Sequence, residues 1–285
     1  MVRIRYILIA MMFCVGIHSS AAKQGEYVFP AVPDSIAGAS DRAIYAVEHF
    51  WDNSTPEAMM EAKVMETFFY ALGKVPESIR LRAITDLLDR NCRDLDRFSQ
   101  IAWFIDTFIG TPDSIYRDDD LYVAAQRHIV CSSIPEEYKI APRWRIELLS
   151  KNKVGDDATD LVFRDVSGQL LSLYGQSFPC VLIFADSGCE QCRQEQELYA
   201  PDLLKIRQSG WNIIVVYLDG TIPGDAVDAK NSIPVADIDN NILENDLYVV
   251  RRLPSAYLID SHKKIVAKEV KLQELYRMIM TTNSN

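Results

Sequence analysis

The sequence predicts two domains: an all-α helical domain, then an α/β domain in which a central mixed sheet is flanked by helices. Three observations carry this. Between residues 34 and 150 apolar residues recur at steps of three and four, with no two-residue alternation. The texture then changes at the polar link Lys151-Asn152-Lys153-Val154-Gly155-Asp156-Asp157. Beyond the link, Val181-Leu182-Ile183-Phe184 and Asn212-Ile213-Ile214-Val215-Val216-Tyr217 are apolar runs short enough to be buried strands. The expected organisation is a leader over 1–22, a helical domain over 34–150 and an α/β domain over 155–282.

The leader is read from Arg3 and Arg5, an apolar run from Tyr6 to Ile17, and the small residues Ser19 to Ala22 before Lys23. That run is too short to cross a bilayer comfortably, and Ser20 and Ala22 suit signal peptidase, so cleavage is expected after Ala22. A lipid anchor on Cys14 is disfavoured because bulky Phe13 precedes it. In the helical region, Thr55 before Pro56 reads as a cap with proline at the first helical position, and Gly73 closes the segment carrying Met60, Val64 and Phe68. Pro76 opens the next helix, with Ala83, Ile84, Leu87 and Leu88 inward. Phe98, Ile101, Ile105 and Phe108 mark a further buried face ending at Gly110, and helices are expected from Asp119 to Val130 and from Pro142 to Leu149. After the link come a strand from Leu161 to Arg164, a turn at Ser167-Gly168, the strand at Val181, a helix from Cys189 to about Gln208 and the strand from Asn212. A hairpin pairs Ser255–Ile259 with Lys264–Ala267, and Lys271 to Met280 supplies a last helix.

Composition narrows the function. The net charge is −10, and removing residues 1–22 takes away two positive charges and no negative ones, leaving −12. With no dense basic run and no aromatic-basic stripe, nucleic acid is not an expected partner. No second apolar stretch is long enough to span a membrane. Five cysteines would survive cleavage, Cys92, Cys131, Cys180, Cys189 and Cys192; that odd number fits one redox pair plus a buried thiol, with room for one further bridge, better than a disulfide-dense scaffold.

Cys189-Glu190-Gln191-Cys192 follows a buried strand and opens a helix. Thiol exchange needs a thiolate, and free cysteine is mostly protonated at neutral pH. A first-turn position lowers the pKa, because unpaired backbone N–H groups and the helix dipole favour negative charge there. Cys192, three residues on, falls on the same side of the helix and can attack a mixed disulfide on Cys189. Cys189 is therefore the expected nucleophile and Cys192 the resolving thiol. Asp186 and Glu190 place carboxylates nearby, which would oppose the thiolate if close.

Phe184-Ala185-Asp186-Ser187-Gly188-Cys189-Glu190-Gln191-Cys192-Arg193, with Leu253-Pro254-Ser255-Ala256-Tyr257-Leu258-Ile259-Asp260 downstream, resembles the periplasmic thioredoxin-like thiol-disulfide oxidoreductases. Ala158 to Leu171, with the turn Asp165-Val166-Ser167-Gly168, resembles the lead-in strands of that group. The resemblance implies a thioredoxin-like fold for the α/β domain and a cis-proline at Pro254 facing the redox pair, a bond that lets the neighbouring backbone run beside the sulfur. The sequence departs from thioredoxin itself: Gly188 precedes the first cysteine, Ile183 stands where a buried carboxylate is expected, and Pro201 lies too far along to replace the usual helix proline. Ala43 to Asn53, with Glu48-His49-Phe50-Trp51-Asp52, resembles an uncharacterised helical domain of secreted bacterial proteins, which names an architecture and no activity.

Blander readings stand beside these. Cys189 and Cys192 could form a permanent bridge or half a zinc site, but no second Cys-x-x-Cys or His-x-x-x-His supplies further ligands. Cys180 reads as a core thiol, with a third redox cysteine as its alternative. Cys92 and Cys131 stay open as a bridge or two free thiols. His49 and Asp52 read as helix packing rather than ligands, Asp118-Asp119-Asp120 as a solvated helix start rather than a cation site, and Trp51, Trp103 and Trp144 as core. The expectation is a periplasmic or secreted oxidoreductase acting on protein or peptide thiols, with no cofactor or metal and an envelope electron donor or acceptor. The alternative is a catalytically weak thioredoxin-like scaffold acting as an envelope binding protein.

Overall fold

The computed structural model describes residues 27–227 and 231–282. The anticipated leader lies outside the described residues. Two compact units divide between Val75 and Pro76.

In the first unit α1 (Ala39–Glu48) and α2 (Ala62–Leu72) are joined through a 3₁₀ turn over Ala58–Met60. Thr55 does cap, its Oγ1 accepting the Ala58 N–H at 3.2 Å, but it caps this turn and not the long helix. Glu61 is extended (φ −82°, ψ 122°), which breaks the helical run, so α2 starts only at Ala62. Gly73 ends α2 as anticipated. The core is aromatic: Phe68 packs with ring centroids 5.1 Å from Phe50 and 5.0 Å from Trp51, and all three are buried. His49 Nδ1 lies 2.6 Å from Asp52 Oδ2, a local pair at the end of α1.

The second unit begins with α3 (Glu77–Asn91), α4 (Leu95–Ile105), α5 (Asp119–Cys131) and α6 (Ile140–Leu149). Asp94 and Asp118 cap α4 and α5, accepting N–H bonds from Arg97 and Leu121 at 3.1 and 3.0 Å. The face Phe98-Ile101-Ile105 is buried, but α4 runs into a π-turn over Asp106–Gly110. The wider turn rotates the helix face, so Ile109 is buried and Phe108 is only half-buried. Trp51 is core, but Trp103 is 54% and Trp144 47% exposed. Trp103 sits two residues beyond Ile101, on the far side of α4. Trp144 lies in the middle of α6, whose inward positions are Pro142, Leu148 and Leu149.

The sheet follows, with β1 (Val162–Arg164), β2 (Leu170–Ser172), β3 (Cys180–Ala185), β4 (Asn212–Tyr217), β5 (Ile233–Ala236), β6 (Ser255–Ile259) and β7 (Ile265–Val270). Their spatial order is β2-β1-β5-β4-β3-β6-β7. The middle strands β3, β4 and β5 are parallel, and β1, β2, β6 and β7 add antiparallel edges, a mixed sheet. The helices α7 (Glu190–Leu198), α8 (Ala200–Gln208), α9 (Gly224–Val227), α10 (Asn241–Glu244) and α11 (Leu272–Thr282) connect and cover it.

Two-residue alternation splits β3 between two cores. Val181, Ile183 and Ala185 face Leu203, Ile206, Leu275 and Ile279, while Cys180, Leu182 and Phe184 face Phe163, Leu173, Tyr248 and Tyr257. Burying each aliphatic side chain contributes about 1.5–3 kcal/mol. The single helix expected from Cys189 to Gln208 is two helices broken at Tyr199. Pro201 is the cause: it lacks an N–H and its ring clashes with the carbonyl four residues back. Strand β5 was not anticipated, because Pro234 argues against a central strand. It is tolerated because β1 meets β5 only at Arg164 and Ala236, leaving the proline an open side.

Candidate functional site

The site grows from the C-terminal end of β3. The chain turns sharply after Ala185: the Asp186 carbonyl accepts the Cys189 N–H at 3.0 Å and its Oδ1 accepts the Gly188 N–H at 3.1 Å. Ser187 N–H donates to Asp219 Oδ1 at 3.2 Å and its hydroxyl bonds Asp219 Oδ2, tying this turn to the end of β4. Burial pushes the Asp219 pKa up, but the Ser187 hydrogen bonds outweigh it and hold the carboxyl below its ordinary value.

Cys189 is the N-cap of α7, and its Sγ accepts the Cys192 N–H at 3.1 Å. The sulfur thus occupies the place where serine or aspartate oxygens normally satisfy an orphan N–H. Cys189 and Cys192 are joined in a disulfide with Cα atoms 5.2 Å apart. The two differ in access, since Cys189 is partly exposed and Cys192 is buried at 1%. Ile183 shares the core cluster that holds Cys192, so the wall beneath the pair is apolar at that position.

The nearby carboxylates are occupied. Glu190 bonds Arg193 at 2.5 and 3.1 Å, which together with Gln194 holds its carboxyl below the ordinary value. Arg193 also reaches Glu197 at 2.7 Å. Arg193 is therefore shared between two carboxylates, Glu190 and Glu197, and only partly offsets the anionic character beside the pair.

Leu253–Pro254 is cis. Pro254 directly precedes β6, whose Ser255 lies opposite Phe184 in β3. Because β3 and β6 are antiparallel, the start of β6 and the end of β3 lie at the same end of the sheet, which brings the proline to the edge from which the cysteines project. A cavity of about 310 Å³ beside the disulfide is lined by Cys189, Cys192, Arg193, Gln196, Tyr217 and Ser232, among others. A second, also about 310 Å³, is lined by Gln191, between the two cysteines, and by Arg252 and Leu253, just before the cis bond.

The remaining candidates fall elsewhere. Cys180 is fully buried in β3, and burial pushes its thiol up to about 12. Cys92 and Cys131 are free thiols, the second exposed. Asp118-Asp119-Asp120 is not a solvated start, for two of its members are locked in ion pairs. Asp118 bonds Arg80 at 2.5 Å, and Asp119 joins Arg117, Arg251 and the fully buried Glu269 carboxylate in one network. Sequence reasoning missed this network, the Ser187–Asp219 link and the Arg193 pairing. Among the described residues no group of three or more His, Cys, Asp or Glu side chains is placed to hold a metal ion. No helix of the described residues is long and apolar enough to cross a membrane.

Residues 16–152 match a family described as Domain of unknown function (DUF5106), so this helical domain is present. No curated protein matches the chain. Among solved structures, a thioredoxin-like protein from Bacteroides caccae superposes with a TM-score of 0.77 at 23% identity, covering 90% of this chain and 98% of that one. The thioredoxin domain of a thiol-disulfide oxidoreductase from Bacteroides vulgatus covers 46% of this chain and 97% of its own at 22% identity, TM-score 0.39. A putative thiol:disulfide interchange protein from Chlorobium tepidum covers 45% and 96% at 24% identity, TM-score 0.37. The α/β region has the thioredoxin-like fold, a mixed sheet flanked by helices, and a helical region precedes it.

Proposed function

We propose that this thioredoxin-like chain is an extracytoplasmic thiol-disulfide oxidoreductase that exchanges disulfides with protein or peptide thiols through Cys189 and Cys192. One observation carries the reading: a partly exposed sulfur caps a helix and accepts the N–H of its buried disulfide partner. An N–H aimed at Sγ and the positive end of α7 both favour the thiolate once the pair is reduced.

In the reducing direction, the Cys189 thiolate attacks one sulfur of a substrate disulfide, forming a mixed disulfide and releasing one substrate thiolate, which takes up a proton. The Cys192 thiolate then attacks Cys189 Sγ, expelling the second substrate thiolate and closing the protein disulfide. Two electrons pass to the substrate. The same steps reversed oxidise a dithiol. Pro254 lends the compact wall along which an extended substrate backbone pairs.

The leader over 1–22, with cleavage after Ala22, delivers the chain to the periplasm or the exterior, where an envelope electron donor or acceptor resets the pair. The helical domain over 34–150 and the catalytic domain over 155–282 are the units of this reading. The test is insulin reduction by the dithiol form, with partner trapping by Cys192→Ser. Turnover and mixed disulfides on Cys189 are expected. Activity no higher than a double-serine control would leave only the scaffold reading.

A further inference from the structure

The cavity between Gln191 and Leu253 holds an unusual cation. Arg252 is nine-tenths buried, yet its Nε and Nη2 have no hydrogen-bond partner. Its ion pair is with Asp113, 3.8 Å from Nη1, and that carboxylate is already shared with Lys271 at 2.7 Å. Asp113 is itself 57% exposed, on the loop after the π-turn, and so is easily displaced. The other carboxylate on the wall, Glu195, accepts the Gln191 amide at 2.8 Å. Buried guanidinium N–H groups without acceptors are costly, and a protein with a net charge of −10 had carboxylates to spare for them.

We propose that Arg252 and Lys271 form a carboxylate subsite, so that the pair acts preferentially on acidic peptides in which a carboxylate flanks the reacting cysteine. This rests on the thiol-disulfide reading above and adds to it a substrate class. The position supports it: the cavity is bounded by a residue between the two cysteines and by the residue before Pro254, where the backbone flanking a reacting cysteine would lie. A substrate carboxylate that displaces Asp113 would take its place between Arg252 Nη1 and Lys271, which is one-third exposed and supplies a point charge at the rim.

The test uses the full chain, reduced, and short Ala-Gly peptides whose single cysteine is capped by thionitrobenzoate. Cys189 attack on the peptide sulfur releases the coloured thiolate, and Cys192 then frees the peptide thiol, so two electrons leave the protein. One peptide carries Glu beside Cys, one carries Gln, and a second pair places Cys at the C-terminus as free acid or amide. The Glu peptide should react about tenfold faster than the Gln peptide, as expected for a charge-assisted hydrogen bond made in the complex. Arg252→Gln should bring that ratio near one, and Lys271→Gln, at a more exposed position, should lower it several-fold. The free-acid pair tells whether a terminal carboxylate serves as well as a side chain. Equal rates for Glu and Gln peptides would overturn the subsite and leave the redox reading standing. If no peptide reacts, the redox reading falls. Anisotropy binding to the Cys189→Ser/Cys192→Ser protein then decides the subsite alone: a Glu preference upholds it, and equal affinity overturns it.

Discussion

Glu269→Gln should unfold the second unit far more readily than its single-atom change suggests. The Glu269 carboxylate is fully buried and accepts from Arg251 at 2.5 Å and from Arg117 at 2.8 Å. Arg251 also donates to the Gly110 carbonyl at 2.7 Å and to Asp119 at 3.0 Å, and Lys268 lies 3.7 Å from Asp119. Three cations therefore share two carboxylates, and the substitution leaves three facing one. Breaking a buried pair from one side costs about 3–5 kcal/mol. Arg117 and Arg251 keep 20% and 17% exposure, which lets water reach them and favours the lower end, about 3 kcal/mol. With a urea slope of about 2–3 kcal/mol/M, the midpoint should fall by about 1 M or more. Replacing both partners, Arg251→Met with Glu269→Leu, should recover much of that loss, because the uncompensated charge goes with its partner. A midpoint shift below about 0.3 M for Glu269→Gln, or a double variant no better than the single, would refute the reasoning.

Gly110→Ala should destabilise by about 1–3 kcal/mol in the same urea assay, because a methyl there would sit 2.7 Å from the Tyr122 ring; no loss would mean that the ring moves freely. Acid should weaken the fold through Asp119. Burial pushes its pKa up, but the Arg117 hydrogen bond and the Arg251 and Arg117 charges outweigh this and hold it well below the usual range. Its folded pKa lies below its unfolded value, so its contribution is complete above about pH 4 and is lost as the pH falls further. Urea midpoints measured from pH 5 down to about 2 should therefore decline more steeply for the wild type than for Asp119→Asn, and parallel slopes would contradict the assignment. Cys180 should resist iodoacetamide in the folded, reduced protein at neutral pH and react only in denaturant, since burial raises its thiol to about 12; labelling it at the rate of exposed Cys131 would contradict that burial.

The parts of the fold legible in the sequence are those with strong local signals. Apolar periodicity gave α3, α5 and the inner strands β3 and β4, and the paired runs Ser255–Ile259 and Lys264–Ala267 gave the β6–β7 hairpin. Local signals misled where one residue or one turn changed the geometry. Pro201 broke the helix after the cysteines, the π-turn moved burial from Phe108 to Ile109, and Pro234 disguised a strand. At the site, Cys189, Cys192 and Pro254 stand in recognisable motifs, so both the helix-cap position and the cis bond were anticipated. The network of Asp119, Arg117, Arg251 and Glu269 joins residues more than a hundred positions apart, and neither spacing nor composition encodes such pairing. The buried, unpartnered N–H groups of Arg252 are likewise a property of three-dimensional packing alone.

The pH dependence of alkylation at Cys189 in the reduced protein bears most directly on the redox reading. Rates of iodoacetamide modification, with the labelled residue identified by mass spectrometry, should follow one ionisation between about pH 5 and 7.5, on Cys189 and ahead of Cys192. A midpoint near about 8.5, the value of an ordinary peptide thiol, or first labelling at Cys192, would contradict it.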